Sequence, residues 1–143
     1  MKWIDLPPVW LFAFLVLTWL SERALPWGPT PVIGLLVFAL GLGIAAAAIL
    51  EFARARTTVI PRQAPSALIT SGIFRFSRNP IYLADVLILV GLSLNWGKVL
   101  GLVLAPVFVV IVTRRFIQGE EARLKQAFGG EYEAYLARTR RWL

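Results

Sequence analysis

Residues 31–50 read PVIGLLVFALGLGIAAAAIL, a run with no charged or strongly polar side chain. About 20 apolar residues are what a helix needs to cross the hydrocarbon core of a bilayer. The run therefore predicts an integral membrane protein. Pro31 suits the first turn of a helix, and Glu51 ends the apolar run. Gly34, Gly41, Gly43, Ala45 and Ala48 give it small faces on which a second helix can pack closely.

Working outward, three further runs read the same way. Residues 6–21 are uncharged and rich in Leu, Phe, Val and Trp, with Trp3, Trp10 and Trp19 placed as interfacial anchors. A single Lys2 precedes this run and no small-residue cleavage site follows it, so it reads as a retained span. A turn with Glu22, Arg23, Pro26, Gly28 and Pro29 leads into the second span. Residues 80–94 and 99–113 form the third and fourth, separated by the tight turn Asn95-Trp96-Gly97-Lys98, with Pro106 expected to kink the last. The expectation is one all-α membrane domain over residues 1–143. It has four transmembrane helices in two hairpins, a cytoplasmic loop at 51–79 and a cytoplasmic tail of amphipathic helices at 114–143.

Charge sets the orientation. The chain has 15 Lys and Arg against 8 Asp and Glu, is 58% hydrophobic, and carries a formal net charge of +7. Its mean hydropathy is +0.71. Arg54, Arg56, Arg62, Arg75 and Arg78 lie in the long loop, and Arg114, Arg115, Arg123, Lys125, Arg138, Arg140 and Arg141 in the tail. The opposite side has Arg23 and Lys98. Basic residues collect on the cytoplasmic side, so both termini are expected there. The same bias accounts for the basic charge without a nucleic-acid partner, for which no separate soluble module is evident. The chain has no Cys and no His. This excludes disulfides, cysteine nucleophiles, imidazole bases and the commonest metal ligands, and no metal is expected.

The polar segments hold what chemistry remains. A loop of this length is uncommon in a compact domain unless it works. Its Thr57-Thr58-Val59-Ile60 is β-prone, and Pro61 and Pro65 favour extended chain. Residues 68–84 read LITSGIFRFSRNPIYLA. Asn79-Pro80 reads as an N-cap followed by the first helical position. Asp85 then lies within an apolar helix, three residues after Tyr82 and on its face. It either marks a polar pocket or pairs with an Arg such as Arg54, Arg56 or Arg114, because an unpaired intramembrane carboxylate is expensive.

Glu120-Glu121 sits just beyond the last span, level with Asn79 and Tyr82. In the tail, Ile117, Leu124 and Phe128 share a helix face that includes Glu121. Gly129-Gly130 breaks the helix, and a second one from Glu131 to about Arg140 puts Tyr132, Tyr135 and Leu136 on one side. This tail also suits an interfacial helix lying on anionic lipid.

The combination of Thr70-Ser71-Gly72-Ile73-Phe74-Arg75, Ser77-Arg78-Asn79-Pro80-Ile81-Tyr82, Glu120-Glu121-Ala122-Arg123-Leu124 and Phe128-Gly129 with Glu131-Tyr132 and Tyr135 resembles the isoprenylcysteine carboxyl methyltransferase and phospholipid methyltransferase family of membrane enzymes. The order and spacing of the pieces over about 57–142 make the likeness specific. Asn79 stands where prenylcysteine enzymes usually have His, and Ala84 where the family has Gly.

The resemblance implies S-adenosylmethionine bound at the cytoplasmic face and a lipid or lipidated acceptor entering from the bilayer. It implies cofactor contacts from Arg78, Asn79, Tyr82, Glu120, Glu121, Gly72 and Phe74, with Glu120 or Glu121 receiving the ammonium of the methionine moiety. Asn79, Tyr82 and the free amides of the third helix would receive its carboxylate. Arg75 or Arg140 would position a carboxylate acceptor; an amine acceptor would need Glu or Tyr as base. No catalytic residue is assigned, since an activated methyl donor requires alignment and exclusion of water. The alternative is a non-enzymatic membrane scaffold or assembly subunit.

Overall fold

The structure is a computed structural model that describes residues 6–25, 30–57 and 66–143. Trp3, the turn residues Pro26, Gly28 and Pro29, and the β-prone 58–60 with Pro61, Arg62 and Pro65 lie outside these residues. Among the described residues every regular element is a helix. They are α1 (Pro7–Leu20), α2 (Thr30–Arg54), a short 3-10 turn (Gly72–Arg75), α3 (Pro80–Trp96), α4 (Val99–Val112) and α5 (Gln118–Arg138). A π-helical segment, Thr113–Ile117, joins α4 to α5 without a break.

Local sequence accounts for the helix ends. Proline opens α1 and α3, where a missing N–H costs nothing. Gly97 ends α3 in the left-handed region at φ 70°. Its N–H bonds to Leu94 O and that of Lys98 to Ser93 O, the pairing by which a C-terminal glycine closes a helix. Ala24 N and Leu25 N then both donate to Gly97 O, and Lys98 Nζ donates to Ser21 O. These bonds fasten the α1–α2 connection to the α3–α4 turn at one end of the bundle.

The most extensive helix contact is that of α2 with α3. It runs through the buried Gly34, Gly41 and Ala48, spaced by seven and so on one face. A methyl group on Gly91 of α3 would lie 2.5 Å from Phe38 N and 2.8 Å from Gly34 O. A methyl on Gly41 would lie 3.1 Å from Ala84 O. The two backbones touch, which only small residues permit. Gly43, expected in this small face, instead points into open space. Asn95 Nδ2 donates to Pro31 O at 3.0 Å and sets the register of the pair.

The remaining helices close around α3. A core of Phe14, Tyr82, Leu89, Ala105, Phe108, Val112, Phe116 and Ile117 joins α1, α3, α4 and the π segment. Phe14 meets Phe108 edge-on at 5.3 Å between centroids. Thr18, Ser93 and Thr113 turn their hydroxyls back to the carbonyls of Phe14, Leu89 and Val109, so no buried hydroxyl here faces hydrocarbon unmatched.

Among the described residues two helical runs are long and apolar enough to cross a membrane: Thr30–Arg54 and Val99–Arg138. Pro7–Leu20 and Pro80–Trp96 are apolar but shorter. The outward faces are apolar as well: Phe12, Trp19, Leu20, Val32, Leu36 and Leu40 are each more than half exposed. A soluble monomer rarely shows so broad an apolar surface; a bilayer would cover it.

The α2–α3 seam generates a test. Gly34→Val should lower stability in detergent by about 1–3 kcal/mol, because the backbones must part. Gly43→Ala should be neutral or stabilising by about 0.5–1 kcal/mol. Thermal unfolding of the two variants side by side checks this; equal effects would contradict the seam.

Candidate functional site

Polar side chains gather at the end of the bundle where α2 stops, α3 starts and α4 passes into α5. The connection between α2 and α3 is anchored first. Glu51, buried in the last turns of α2, accepts from Ser71 Oγ at 2.5 Å and from Arg54 Nη1 at 2.8 Å. Gly72 adopts φ 56°, and a Cβ there would lie 2.6 Å from the Glu51 carboxylate. The position therefore needs glycine for its conformation and for room. The 3-10 turn that follows buries Phe74 against Phe52, with ring centroids 5.6 Å apart.

The C-terminal segment straps this connection from the other side. Arg78 N donates to Arg140 O at 3.0 Å. Asn79 Nδ2 and Ser77 Oγ donate to Arg141 O at 3.0 and 3.3 Å. Thr139 Oγ1 reaches Arg75 O at 3.5 Å, and Tyr135 OH donates to Phe74 O at 2.6 Å. Trp142 packs against the main core. The Arg141 guanidinium makes a two-point ion pair with Glu121, at 2.9 and 2.6 Å. Arg78 Nη2 meets the same carboxylate at 3.4 Å. The bond from Glu121 holds the Arg141 charge in place, raising its pKa above the ordinary arginine range.

Glu120 accepts from Tyr82 OH at 2.8 Å, and the Tyr82 ring stacks on Phe116. The π segment explains why two consecutive residues, Phe116 and Ile117, are both buried. Its extra residue per turn shifts the register, so the apolar pair turns inward and Glu120-Glu121 follows in the first turn of α5. Further along, Gly129 leaves helical geometry at φ 49°, ψ −121°. The rod folds there, and Tyr132 and Tyr135 return over the site, each only 2% exposed.

Between these elements lies a cavity of about 100 Å³. Arg78, Asn79, Glu120, Glu121, Tyr132 and Tyr135 supply its polar lining, and Phe52, Phe74 and Leu124 its apolar lining. Two buried donors beside it have no partner among the described residues, Arg78 Nε and Tyr132 OH. Burial and the nearby Glu121 push the Tyr132 hydroxyl above its ordinary pKa, so it stays a neutral donor.

Several expected residues are thus brought together: Arg78, Asn79, Glu120, Glu121 and Phe74 line one cavity, and Tyr82 is bonded to its edge. Others are not. Gly72 shapes the turn behind Phe74 and does not line the cavity. The side chains of Arg75 and Arg140 are exposed, and their carbonyls, not their guanidiniums, join the strap. Asn79 precedes α3 without a side-chain cap, because its amide goes to Arg141 O. Asp85 makes no ion pair with Arg54, Arg56 or Arg114, and Arg54 is paired with Glu51. Arg141, Tyr132, Tyr135 and Glu51 were not anticipated as site residues. The two tyrosines carried a signal in their spacing of three after the glycine break; Arg141 carried none, as one of several arginines in the tail.

The family model described as phospholipid methyltransferase matches residues 29–131. A protein of Haemophilus influenzae (strain ATCC 51907 / DSM 11121 / KW20 / Rd), described as an uncharacterized protein, is 35% identical over 63 residues. That match covers 44% of this chain and 100% of the Haemophilus protein. No solved structure matches the chain.

The strap gives the site its own test. Tyr135→Phe removes one bond and leaves the buried Phe74 carbonyl unmatched, which should cost about 1–3 kcal/mol. Hydrogen exchange should rise at 72–79 and 139–143 and stay unchanged in the α2–α3 seam. Unchanged exchange in the strap would show that Tyr135 does not hold it.

Proposed function

Because this chain belongs to the phospholipid methyltransferase family, we propose that it transfers a methyl group from S-adenosylmethionine to a lipid-borne acceptor at the cytoplasmic membrane face. The observation that carries the reading is the cavity lining: two carboxylates and two unmatched buried donors around one small space. Unsatisfied buried donors are costly, and a ligand with an acceptor group would relieve both. The amino-acid end of the cofactor carries an ammonium and a carboxylate, and so fits this donor set. Bound S-adenosylmethionine would supply a methyl group on a sulfonium, already activated for transfer.

Each side chain has a role in this reading. The Glu120-Glu121 pair receives the ammonium. Arg78 Nε and Tyr132 OH receive the carboxylate. Asn79 and Tyr82 have their donors engaged, by Arg141 O and by Glu120, and they position the site from behind. Phe52, Phe74 and Leu124 are apolar walls that exclude water from the reacting end. The cavity has the volume of a few water molecules, so it takes the polar end of the cofactor while the rest extends beyond it.

The topology belongs to the same proposal. One domain spans 1–143, and all four of α1 to α4 cross the bilayer, the two shorter helices with help from their flanks. The connection after α2 and the tail meet at one end of the bundle, and between them they hold most of the basic residues. The turn at Gly97 and the residues near Arg23 form the other end. Basic residues favour the cytoplasmic side, so the site and both termini face the cytoplasm and the acceptor arrives laterally from the bilayer.

Two measurements check this. Calorimetric titration of the detergent-solubilised chain with S-adenosylmethionine should give saturable binding. Tyr132→Phe should weaken it by about 5–10-fold, the loss of one hydrogen bond, without lowering thermal stability, since that hydroxyl has no partner in the protein. Failure of the folded wild-type chain to bind would refute the proposal. A reporter fused after Leu143 should be active only if it works in the cytoplasm; an external signal would overturn the topology.

A further inference from the structure

Glu51 is the only acidic side chain that is buried among the described residues, at 7% exposed, and it does not line the cavity. Its ion pair with Arg54 does not account for the burial. Arg54 keeps 74% of its side chain in solvent, and a pair so exposed, three residues apart on one helix, adds little. A carboxylate at the surface would make it equally well. Burying a charge is costly unless hydrogen bonds compensate. The compensating bond is the inward one, donated by Ser71 Oγ at 2.5 Å from the far side of the α2–α3 connection.

That bond ties the end of α2 to the start of the 3-10 turn, and the turn carries part of the cavity wall. Phe74 N donates to Ser71 O at 3.0 Å, so the residue held by Glu51 is also the one that opens the turn. Gly72 leaves no space between the turn and the carboxylate. Phe74 then sets its ring in the cavity wall against Phe52, the chain neighbour of Glu51. Its carbonyl accepts from the Tyr135 hydroxyl. Ser77 N returns to Ile73 O at 3.4 Å, and Asn79 N donates to Ser77 Oγ at 3.1 Å. These two bonds fix the chain on either side of Arg78. Ala48, Ile69 and Phe74 form the small core that the turn closes.

We infer that Glu51 is a positioning residue for the cofactor, an inference that rests on the methyl-transfer reading above. Through Ser71 it holds the 3-10 turn in the arrangement that sets Phe74, Tyr135 and Arg78 around the cavity, and it does so without touching the ligand. When the bond is lost the turn samples other arrangements, and the apparent affinity falls with the fraction of molecules in the competent one. The coupling is reciprocal, so bound cofactor steadies the turn. Arg54, bonded to the other oxygen of the carboxylate, has no part in it.

The test titrates the full detergent-solubilised chain with S-adenosylmethionine by calorimetry and follows amide exchange with and without it. Glu51→Ala and Ser71→Ala should each weaken binding about tenfold, the scale of one charge-assisted hydrogen bond. The double variant should bind no more weakly than either alone, because both changes remove the same interaction. Glu51→Gln keeps an acceptor and should fall between Glu51→Ala and the wild type. Arg54→Ala should stay within about twofold of the wild type. Exchange at 72–76 should rise in Glu51→Ala and Ser71→Ala, and fall when cofactor binds the wild-type chain. Along 34–48 of α2 it should not change. Wild-type affinity in Glu51→Ala or Ser71→Ala, multiplied losses in the double variant, or a loss in Arg54→Ala as large as in Glu51→Ala would each overturn the inference. So would faster exchange along 34–48, which would make Glu51 a support of the helix seam and not of the site. If Glu51→Ala does not fold, Ser71→Ala and Glu51→Gln decide by the same criteria. Absence of binding by the folded wild-type chain would refute the methyl-transfer reading and the positioning role with it, even where exchange at 72–76 still reports the Glu51–Ser71 bond.

Discussion

The carboxylate of Glu121 meets two guanidiniums, one from each side of the site. Arg78 comes from the residues that lead into α3, and Arg141 from the end of the chain. Arg78 and Glu121 are largely withdrawn from solvent, with 13% and 16% of the side chain exposed, while Arg141 keeps 38% exposed. A charge group this enclosed is held by its partners, and removing one member leaves a charge without compensation. The pairing draws the C-terminal segment across the α2–α3 connection, where Ser77, Arg78 and Asn79 bond to the carbonyls of Arg140 and Arg141. Arg78 Nε and the Tyr132 hydroxyl, both without a partner among the described residues, favour an anionic group in the cavity.

This polar assembly depends on an apolar one. The contact between α2 and α3 is made backbone to backbone at Gly34 and Gly91, so it allows little sliding. It sets the height at which α2 ends, hence the height of Glu51 and Phe52. Glu51 holds Ser71 and leaves room only for glycine at 72, and Phe52 holds the ring of Phe74. The cavity is thus fixed by a seam of small residues some turns away. On the other side the π segment does the corresponding work. One extra residue turns Phe116 and Ile117 into the core together and presents Glu120 and Glu121 where α3 begins.

The difference between what was legible and what was not follows the range of the interactions. The apolar runs, the break at Gly129-Gly130 and the meeting of Asn79 and Tyr82 with Glu120-Glu121 could be read because each rests on local pattern or on depth in the bilayer. The strap could not. Asn79 looked like a helix cap, since Asn before Pro is locally suited to that role, but a carbonyl sixty-two positions later takes its amide. Arg75 and Arg140 looked like ligands because they are cationic, yet their side chains point to solvent and their backbone carbonyls do the structural work. Gly43 looked like part of the packing face, and the face is in fact set by the spacing of Gly34, Gly41 and Ala48.

By itself, the sequence determines that this is a helical chain of membrane character whose basic residues cluster in the polar stretches 51–78 and 114–143, and that its chemistry is left to carboxylates, arginines and tyrosines. Hydrocarbon satisfies no backbone polar group, so long apolar runs have few alternatives to the helix, and absent residue types exclude their chemistry outright. Tertiary structure alone decides which of the many arginines pair with Glu121 and which tyrosine hydroxyl is left unmatched beside the cavity. Those outcomes depend on side chains brought together from opposite ends of the chain to within about 3 Å of each other. A shift of one residue at the π segment or in the α2–α3 seam would reassign them, and such a shift leaves no trace in composition or in the spacing of apolar residues.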